Sequence, residues 1–358
     1  MPALTEDAVR HALRQVRYPG FSRDIVSFGL VKAITVSPDG VVSVEIALMA
    51  KDPAVPAQIE TEIKQAVAEL PGVTGTIVHL HARQPSPPAT AGDTPPGIPG
   101  VGKIIAVASG KGGVGKSTVA ANLAVALAAQ GLAVGLCDCD LYGPSIALMF
   151  GANEQPLADE HDRIVPVERH GIKLMSMGLL LADDSPVIVR GPLATRFTQQ
   201  LLRQVDWGKL DVLILDLPPG TGDIQLTIVQ TVALDGAIIV TTPQEVALID
   251  ARKAAAMFDK VIVPVLGLIE NMSWFECPSD GQRYHLFGRG GGVREARRIG
   301  VPLLGQIPLT VETRERADEG RPVALLPPSG NQASAAFHQV ARLMATQLGR
   351  LAPDPPAP

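Results

Sequence analysis

The chain is short of aromatic residues and cysteines and has no surplus of positive charge. Aromatics make up 4% of its 358 residues. A core of this size is therefore built from Val, Leu, Ile and Ala, which suits buried parallel strands flanked by helices. Three cysteines, Cys137, Cys139 and Cys277, are too few for a disulfide framework and point to a reducing compartment. The formal net charge of −5 argues against nucleic acid as the main partner, since phosphate backbones attract clustered Lys and Arg. No charged-then-apolar leader opens the sequence, so a cytoplasmic location is expected. The stretch Thr118 to Cys137 lacks charge and is long enough to span a bilayer. Gln130-Gly131 splits it into an Ala-rich helix and a strand, so no membrane span is expected.

Residues 1–83 read as a small α+β domain. Val9, Leu13 and Val16 have helical spacing. Leu30–Val36 and Val41–Met49 flank a Ser37-Pro38-Asp39-Gly40 turn, the pattern of a hairpin. Ile59, Ile63, Val67 and Leu70 line one face of a helix that Pro71-Gly72 stops, and Val73–Leu80 supplies a third strand. Residues 84–100 form a Pro/Gly-rich linker. From 101 to 350 strands alternate with helices, the signature of a doubly wound, mostly parallel α/β sheet. The strands expected there are Lys103–Ser109, Ala133–Asp138, Asp211–Asp216, Gly236–Thr241, Val261–Ile269 and Pro302–Ile307. The tail, 351–358, is expected to be disordered.

An apolar strand ending at Ser109 runs into Gly110-Lys111-Gly112-Gly113-Val114-Gly115-Lys116-Ser117, and an apolar helix follows from Ser117 and Thr118. Strand, Gly-rich loop and helix are the context that G-x-x-x-x-G-K-[ST] needs to be a phosphate loop. Its glycines let backbone N–H groups converge on phosphate oxygens, and the helix N-terminus adds partial positive charge. Lys116 is expected to neutralise the β- and γ-phosphates of ATP, and the Ser117 hydroxyl to ligate Mg²⁺. Val212–Asp216 is an apolar strand ending in a carboxylate, and Asp216 is expected to hold Mg²⁺ through water. Leu217–Asp223 after it has the look of a γ-phosphate-sensing switch. For Asp138 two readings stand: support for the metal's water shell, or an ordinary strand end.

The KGGVGKST run closely resembles the deviant Walker A group of ATPases. In that group the lysine at the position of Lys111 reaches the partner's nucleotide across a dimer, as an arginine finger does. The resemblance also implies that Asp140 orients the attacking water and that Asn271 reads the adenine edge. The same loop, DLYGPS from Asp140, RGPL from Arg190, WGKLDVLILDLPPGTGD from Trp207 and GLIENMSWFECP from Gly267 together resemble the Mrp family. These are the ApbC/Nbp35-type iron–sulfur cluster carrier ATPases. The first 83 residues resemble the small MIP18-like domain of many such carriers and of iron–sulfur assembly proteins.

The resemblance implies a homodimer that hydrolyses ATP, binds a [4Fe–4S] cluster and passes it to apo iron–sulfur client proteins with assembly factors. In the usual member, two chains each give a Cys-x-x-Cys pair, which makes the four thiolates that such clusters want. This chain reads Cys277-Pro278-Ser279-Asp280, so Asp280 stands at the second cysteine position and Cys277 alone is left as the candidate thiolate. His285 nearby is read as a packed loop residue, and Gly290-Gly291-Gly292 as a place where dimer surfaces approach. Two rival readings remain: a nucleotide-gated assembly adaptor with no cluster of its own, and a positioning ATPase of the MinD/ParA kind.

Overall fold

The computed structural model describes residues 4–16, 25–26, 31–37, 39–48, 54–82, 95–161, 163–180 and 191–350. Arg190, the segments 18–20 and 50–53, residues 84–94 of the expected linker and the tail 351–358 lie outside them. The chain divides into two compact units, 1–93 and 94–358.

The first unit contains α1 (Glu6–Ala12), β1 (Val31–Val36), β2 (Val41–Leu48), α2 (Ala54–Ala68) and β3 (Gly75–Ala82). Thr5 caps α1 by accepting a hydrogen bond from the Ala8 N–H. The expected hairpin forms: β1 pairs antiparallel with β2, and β3 then joins β2 in parallel. Val42, Val44 and Ile46 alternate onto one face, where they meet Val9 of the first helix, Leu13 in the turn that follows it, and Ile59, Ile63 and Val67 of the second helix. Full burial of each such side chain contributes about 1.5–3 kcal/mol, which is what holds a unit this small together.

The second unit opens with β4 (Val101–Ala108), α3 (Lys116–Ala128), β5 (Val134–Asp138) and α4 (Ile146–Met149). Next come β6 (Val167–Arg169), β7 (Ile172–Ser176), α5 (Met177–Leu180), α6 (Gly191–Arg203) and β8 (Leu210–Asp216). The chain continues through α7 (Asp223–Thr231), β9 (Gly236–Thr241), α8 (Glu245–Lys260) and β10 (Val265–Glu270) to the short pair β11 (Phe275–Glu276) and β12 (Arg283–Tyr284). It closes with α9 (Gly291–Ile299), β13 (Leu303–Gln306), α10 (Val311–Asp318) and α11 (Gln332–Gln347). One eight-stranded sheet runs β13-β10-β9-β4-β8-β5-β7-β6, parallel throughout except for the edge strand β6.

Strand alternation divides the core between the two faces of this sheet. Ile105 and Val107 of β4 pack with α3 and α11, while Ile104, Ala106 and Ala108 pack with α6, α7 and α8. The few aromatics are spent here, with Trp207, Phe150, Phe258 and Phe337 all essentially inaccessible. Strand β4 sits between β8 and β9, where the winding reverses, and an open α/β sheet places its ligand crevice at that point. Residues 95–100 of the expected linker pack on this unit: Ile98 is buried and the Pro96 carbonyl accepts from the Ala233 N–H.

One expectation needs correction. The strand read as starting at Val261 begins at Val265, because α8 runs to Lys260 and Val261 caps it. Ile262 then turns with φ of 59° and Pro264 offers no N–H. The hairpin of β6 and β7 was not anticipated. Its turn is His170-Gly171, both at positive φ, as a two-residue turn between twisted strands requires. Thr118–Cys137 divides as expected into α3 and β5, and among the described residues no helix is long and apolar enough to cross a membrane.

Candidate functional site

The loop Gly110–Gly115 leaves the end of β4 and turns into α3, whose first residues are Lys116 and Ser117. Gly113 and Gly115 take φ of 78° and 79°, the left-handed region that glycine reaches without steric cost. At Gly115 space matters as much as angle: an added Cβ would collide with the Asn271 amide. Lys111 is half-buried at the rim of the loop, and Gly112 and Gly113 beside it are exposed.

The Lys116 ammonium turns inward. Its Nζ donates to Asp216 Oδ1 at 2.5 Å and lies 3.2 Å from Ser117 Oγ, with the lysine 6% exposed and the aspartate fully buried. Burial raises the Asp216 pKa; the Lys116 charge and hydrogen bond oppose that shift, and Asp140 adds to it. Asp216 Oδ2 is buried without a hydrogen-bond partner of good geometry, although the Ser117 hydroxyl close by favours the charged form. A buried carboxylate oxygen lacking a partner, next to a hydroxyl at a helix start, is the donor set a hard cation takes. These residues fit Mg²⁺.

Asp138 and Asp216 are register partners at the ends of β5 and β8. Asp138 is buried and fully engaged. Its Oδ1 accepts from the Asp140 N–H at 3.1 Å, and its Oδ2 from the N–H groups of Ser145 (3.0 Å) and Ile146 (3.2 Å) and the Ser176 hydroxyl (3.1 Å). Its role is thus to pin the 139–146 loop that carries Asp140. Burial, with the Asp216 charge second, pushes its pKa up to about 7. Asp140 is half-buried and accepts from the Tyr142 and Gly143 N–H groups, both at 3.3 Å. Cys137 and Cys139 lie fully buried with sulfurs 3.8 Å apart. The hydrogen bond between them and burial raise the Cys139 pKa, which makes that thiol a poor nucleophile and ligand.

Asn271 directly follows β10, beside the loop. Its backbone N–H donates to the Thr241 carbonyl at 2.8 Å, and its side-chain Nδ2 to the Val114 carbonyl at 2.9 Å. This bond to the phosphate loop has no signal in the sequence, because the two residues are 157 positions apart.

Cys277 opens the turn of the β11–β12 hairpin, where its N–H donates to the Gln282 carbonyl, and it is partly exposed. Its Sγ is 3.0 Å from the Ser279 hydroxyl. Asp280 Oδ1 accepts from the Gln282 N–H and Oδ2 from the Tyr284 hydroxyl. The Gln282 N–H, then the Cys277 thiol and Tyr284, hold the Asp280 carboxyl below its usual range. Among the described residues no group of three or more His, Cys, Asp or Glu side chains is gathered to hold a metal. His285 is tied down, its Nδ1 facing the Ser273 carbonyl at 3.0 Å. Of the glycine run expected where dimer surfaces approach, two members pack inside the chain instead. Gly291 and Gly292 are buried within the chain, where an added Cβ would strike the Pro243 carbonyl and Glu270.

A phosphate loop at the switch point of a parallel sheet, with a carboxylate closing the neighbouring strand, defines a P-loop NTPase. Residues 100–345 match the family described as NUBPL iron-transfer P-loop NTPase, and residues 6–80 match an iron–sulfur cluster assembly protein family. The chain belongs to the NUBPL iron-transfer P-loop NTPase family. An iron–sulfur cluster carrier protein of Deinococcus radiodurans is 45% identical over 345 residues, 96% of this chain and 95% of its own length. The iron–sulfur cluster carrier protein of Escherichia coli K12 is 48% identical over 71% of this chain and 69% of its own length. Among solved structures, a nucleotide-binding protein from Archaeoglobus fulgidus in complex with ADP is 42% identical, with a TM-score of 0.57. It aligns with 63% of this chain and 90% of its own. The cell division ATPase MinD of Pyrococcus furiosus has a TM-score of 0.53 at 25% identity, over 69% of this chain and 99% of its own.

Proposed function

We propose that the chain is an ATP-hydrolysing iron–sulfur cluster carrier that works as a homodimer and hands its cluster to apoprotein acceptors. The observation that carries this reading is the 45% identity to a cluster carrier along almost the entire length of both proteins. It favours a carrier over a positioning ATPase, which shares the fold but not this length of likeness.

At the nucleotide site the work divides among the residues as follows. The backbone N–H groups of 112–117 and the start of α3 bind the phosphates. Lys116 exchanges Asp216 Oδ1 for β- and γ-phosphate oxygens, which releases the carboxylate. Ser117 and Asp216 would hold Mg²⁺, which would supply positive charge to the phosphates. Asp140, on the loop that Asp138 pins, orients the attacking water. Lys111, paired with no acid among the described residues, reaches the γ-phosphate of the second copy and offsets charge in the transition state.

The cluster is cargo, held at Cys277. Two chains offer two thiolates and two Asp280 carboxylates. Such a mixed soft and hard set holds iron less firmly than four thiolates do, and weak holding suits a protein that must let its cargo go. Anaerobic reconstitution of the full chain with iron and sulfide tests this. Thiolate-to-iron absorption bands are expected in the wild type and lost in Cys277→Ser. Equal iron and sulfide content in the two proteins would overturn the assignment.

A further inference from the structure

The hairpin that carries Cys277 is not an independent appendage of the sheet. It grows out of Asn271 and Met272, and both lie against the phosphate loop. Asn271 Nδ2 donates to the Val114 carbonyl, and a Cβ at Gly115 would meet that same amide and come within 3.4 Å of Met272 Cε. Met272 takes φ of 56°, the left-handed region, which is strained for a non-glycine residue. Such a conformation persists only where the surroundings over-determine it.

The surroundings do so here. On one side of Met272 the Asn271 N–H is tied to Thr241; on the other the Ser273 N–H donates to the Ile307 carbonyl, and the Ser273 hydroxyl to the Glu270 carbonyl. At its base the hairpin is fastened to Leu309 and to Ser273, the residue that follows Met272. Its outgoing strand is held where the Leu309 N–H donates to the Trp274 carbonyl. Its returning end is held where His285 Nδ1 meets the Ser273 carbonyl. A shift of the Val114–Gly115 backbone therefore reaches the base of the hairpin through one buried hydrogen bond and one strained residue. Cys277 is six positions from Asn271, on the element those contacts orient.

We infer that the Asn271–Met272 step is a positioning element that sets the exposure of the Cys277 thiol according to the state of the phosphate loop. This rests on the reading that the loop binds nucleotide and Cys277 handles cargo, and it names the part of the chain that links the two. Neither residue touches the reacting atoms in this role.

The test is the alkylation rate of Cys277 by iodoacetamide in the full-length protein, with and without a non-hydrolysable ATP analogue and Mg²⁺. Nucleotide affinity is measured in parallel. The other two cysteines are buried, and Cys277→Ser sets the background. In the wild type the analogue is expected to change the rate by at least about fivefold, the lower end of ordinary coupling between two sites. Met272→Gly accepts the positive φ without strain and leaves the Asn271 amide in place, so it is expected to fold and to bind the analogue, while its rate ratio falls to near one. Asn271→Ala, assayed at saturating analogue, is expected to lose the ratio too. A merely structural role would move the absolute rate and leave the ratio. A wild type that binds the analogue with no change in alkylation overturns the inference alone, as does Met272→Gly with an unchanged ratio. A wild type that binds no nucleotide overturns the functional reading and the inference together.

Discussion

Lys116 Nζ rests 2.5 Å from Asp216 Oδ1, a buried ion pair joining the first turn of α3 to the end of β8. The pair joins the residue expected on the phosphates to the residue expected on the metal. Breaking it by removing the lysine strands a buried carboxylate, a change that typically costs about 3–5 kcal/mol unless the acid takes up a proton. Lys116→Met is therefore expected to abolish nucleotide binding and ATP turnover and to lower the thermal midpoint at pH 8. Desolvation already raises the Asp216 pKa, and the variant loses the charge that opposes it. A folded pKa above the unfolded one means stability is fullest at low pH and falls as pH rises through the folded pKa. The variant should accordingly recover stability at pH 5, as thermal melts at the two pH values would reveal. ATP hydrolysis at the wild-type rate in the variant would sink the site assignment.

Asp138 gives a wild-type pH effect of the same sign. Its folded pKa stands at about 7 against an ordinary value of 3.8. The protonated form is thus favoured by folding, and stability is expected to decline as pH rises from about 4 through about 7. Asp138→Asn should flatten that decline in the nucleotide-free protein, which a pH series of denaturation midpoints can check.

Two glycines of the loop should part company. Gly112 has nothing within 4 Å of an added Cβ, whereas Gly115 combines φ of 79° with a collision at Asn271. Gly115→Ala is expected to cost about 1 kcal/mol or more in stability and to lose nucleotide binding. Gly112→Ala should melt like the wild type and show only weakened nucleotide affinity, because the space it fills lies where phosphate binds. Calorimetry of both variants, with and without nucleotide, distinguishes the two outcomes.

Lys111→Ala should keep nucleotide affinity within a few-fold while turnover falls by about a hundredfold or more, the usual loss when one transition-state charge donor is removed. Mixing it with Lys116→Met, which keeps its own Lys111 but binds no nucleotide, is expected to restore some hydrolysis if the lysine acts across the dimer. Steady-state rates over a range of mixing ratios measure this.

Asp280→Cys should raise iron and sulfide retained per dimer after reconstitution, since it completes four thiolates from two chains. It should also slow cluster release to an apo-acceptor. Faster loss of cluster than in the wild type would contradict the view that Asp280 weakens the hold.

The sequence by itself determined whatever depends on neighbours in the chain. The strand, loop and helix around Gly110–Ser117 are local, and continuous apolar runs mark β4, β5, β8 and β9 within a residue or two. The Cys277-to-Asp280 spacing is legible because it is four consecutive residues. Tertiary structure decided what depends on distant residues coming together. The Lys116–Asp216 pair spans 100 positions and the Asn271–Val114 bond 157, and no periodicity encodes either. Val261–Pro264 looked like a strand because its residues are apolar, yet only Val263 is buried and Ile262 is 91% exposed, so composition alone misleads there. Gly291 and Gly292 looked like a surface because a sequence does not say which side of a close approach is the chain itself. A chain pattern records which side chains avoid water, whereas their partners are set only when the sheet closes and both faces are packed.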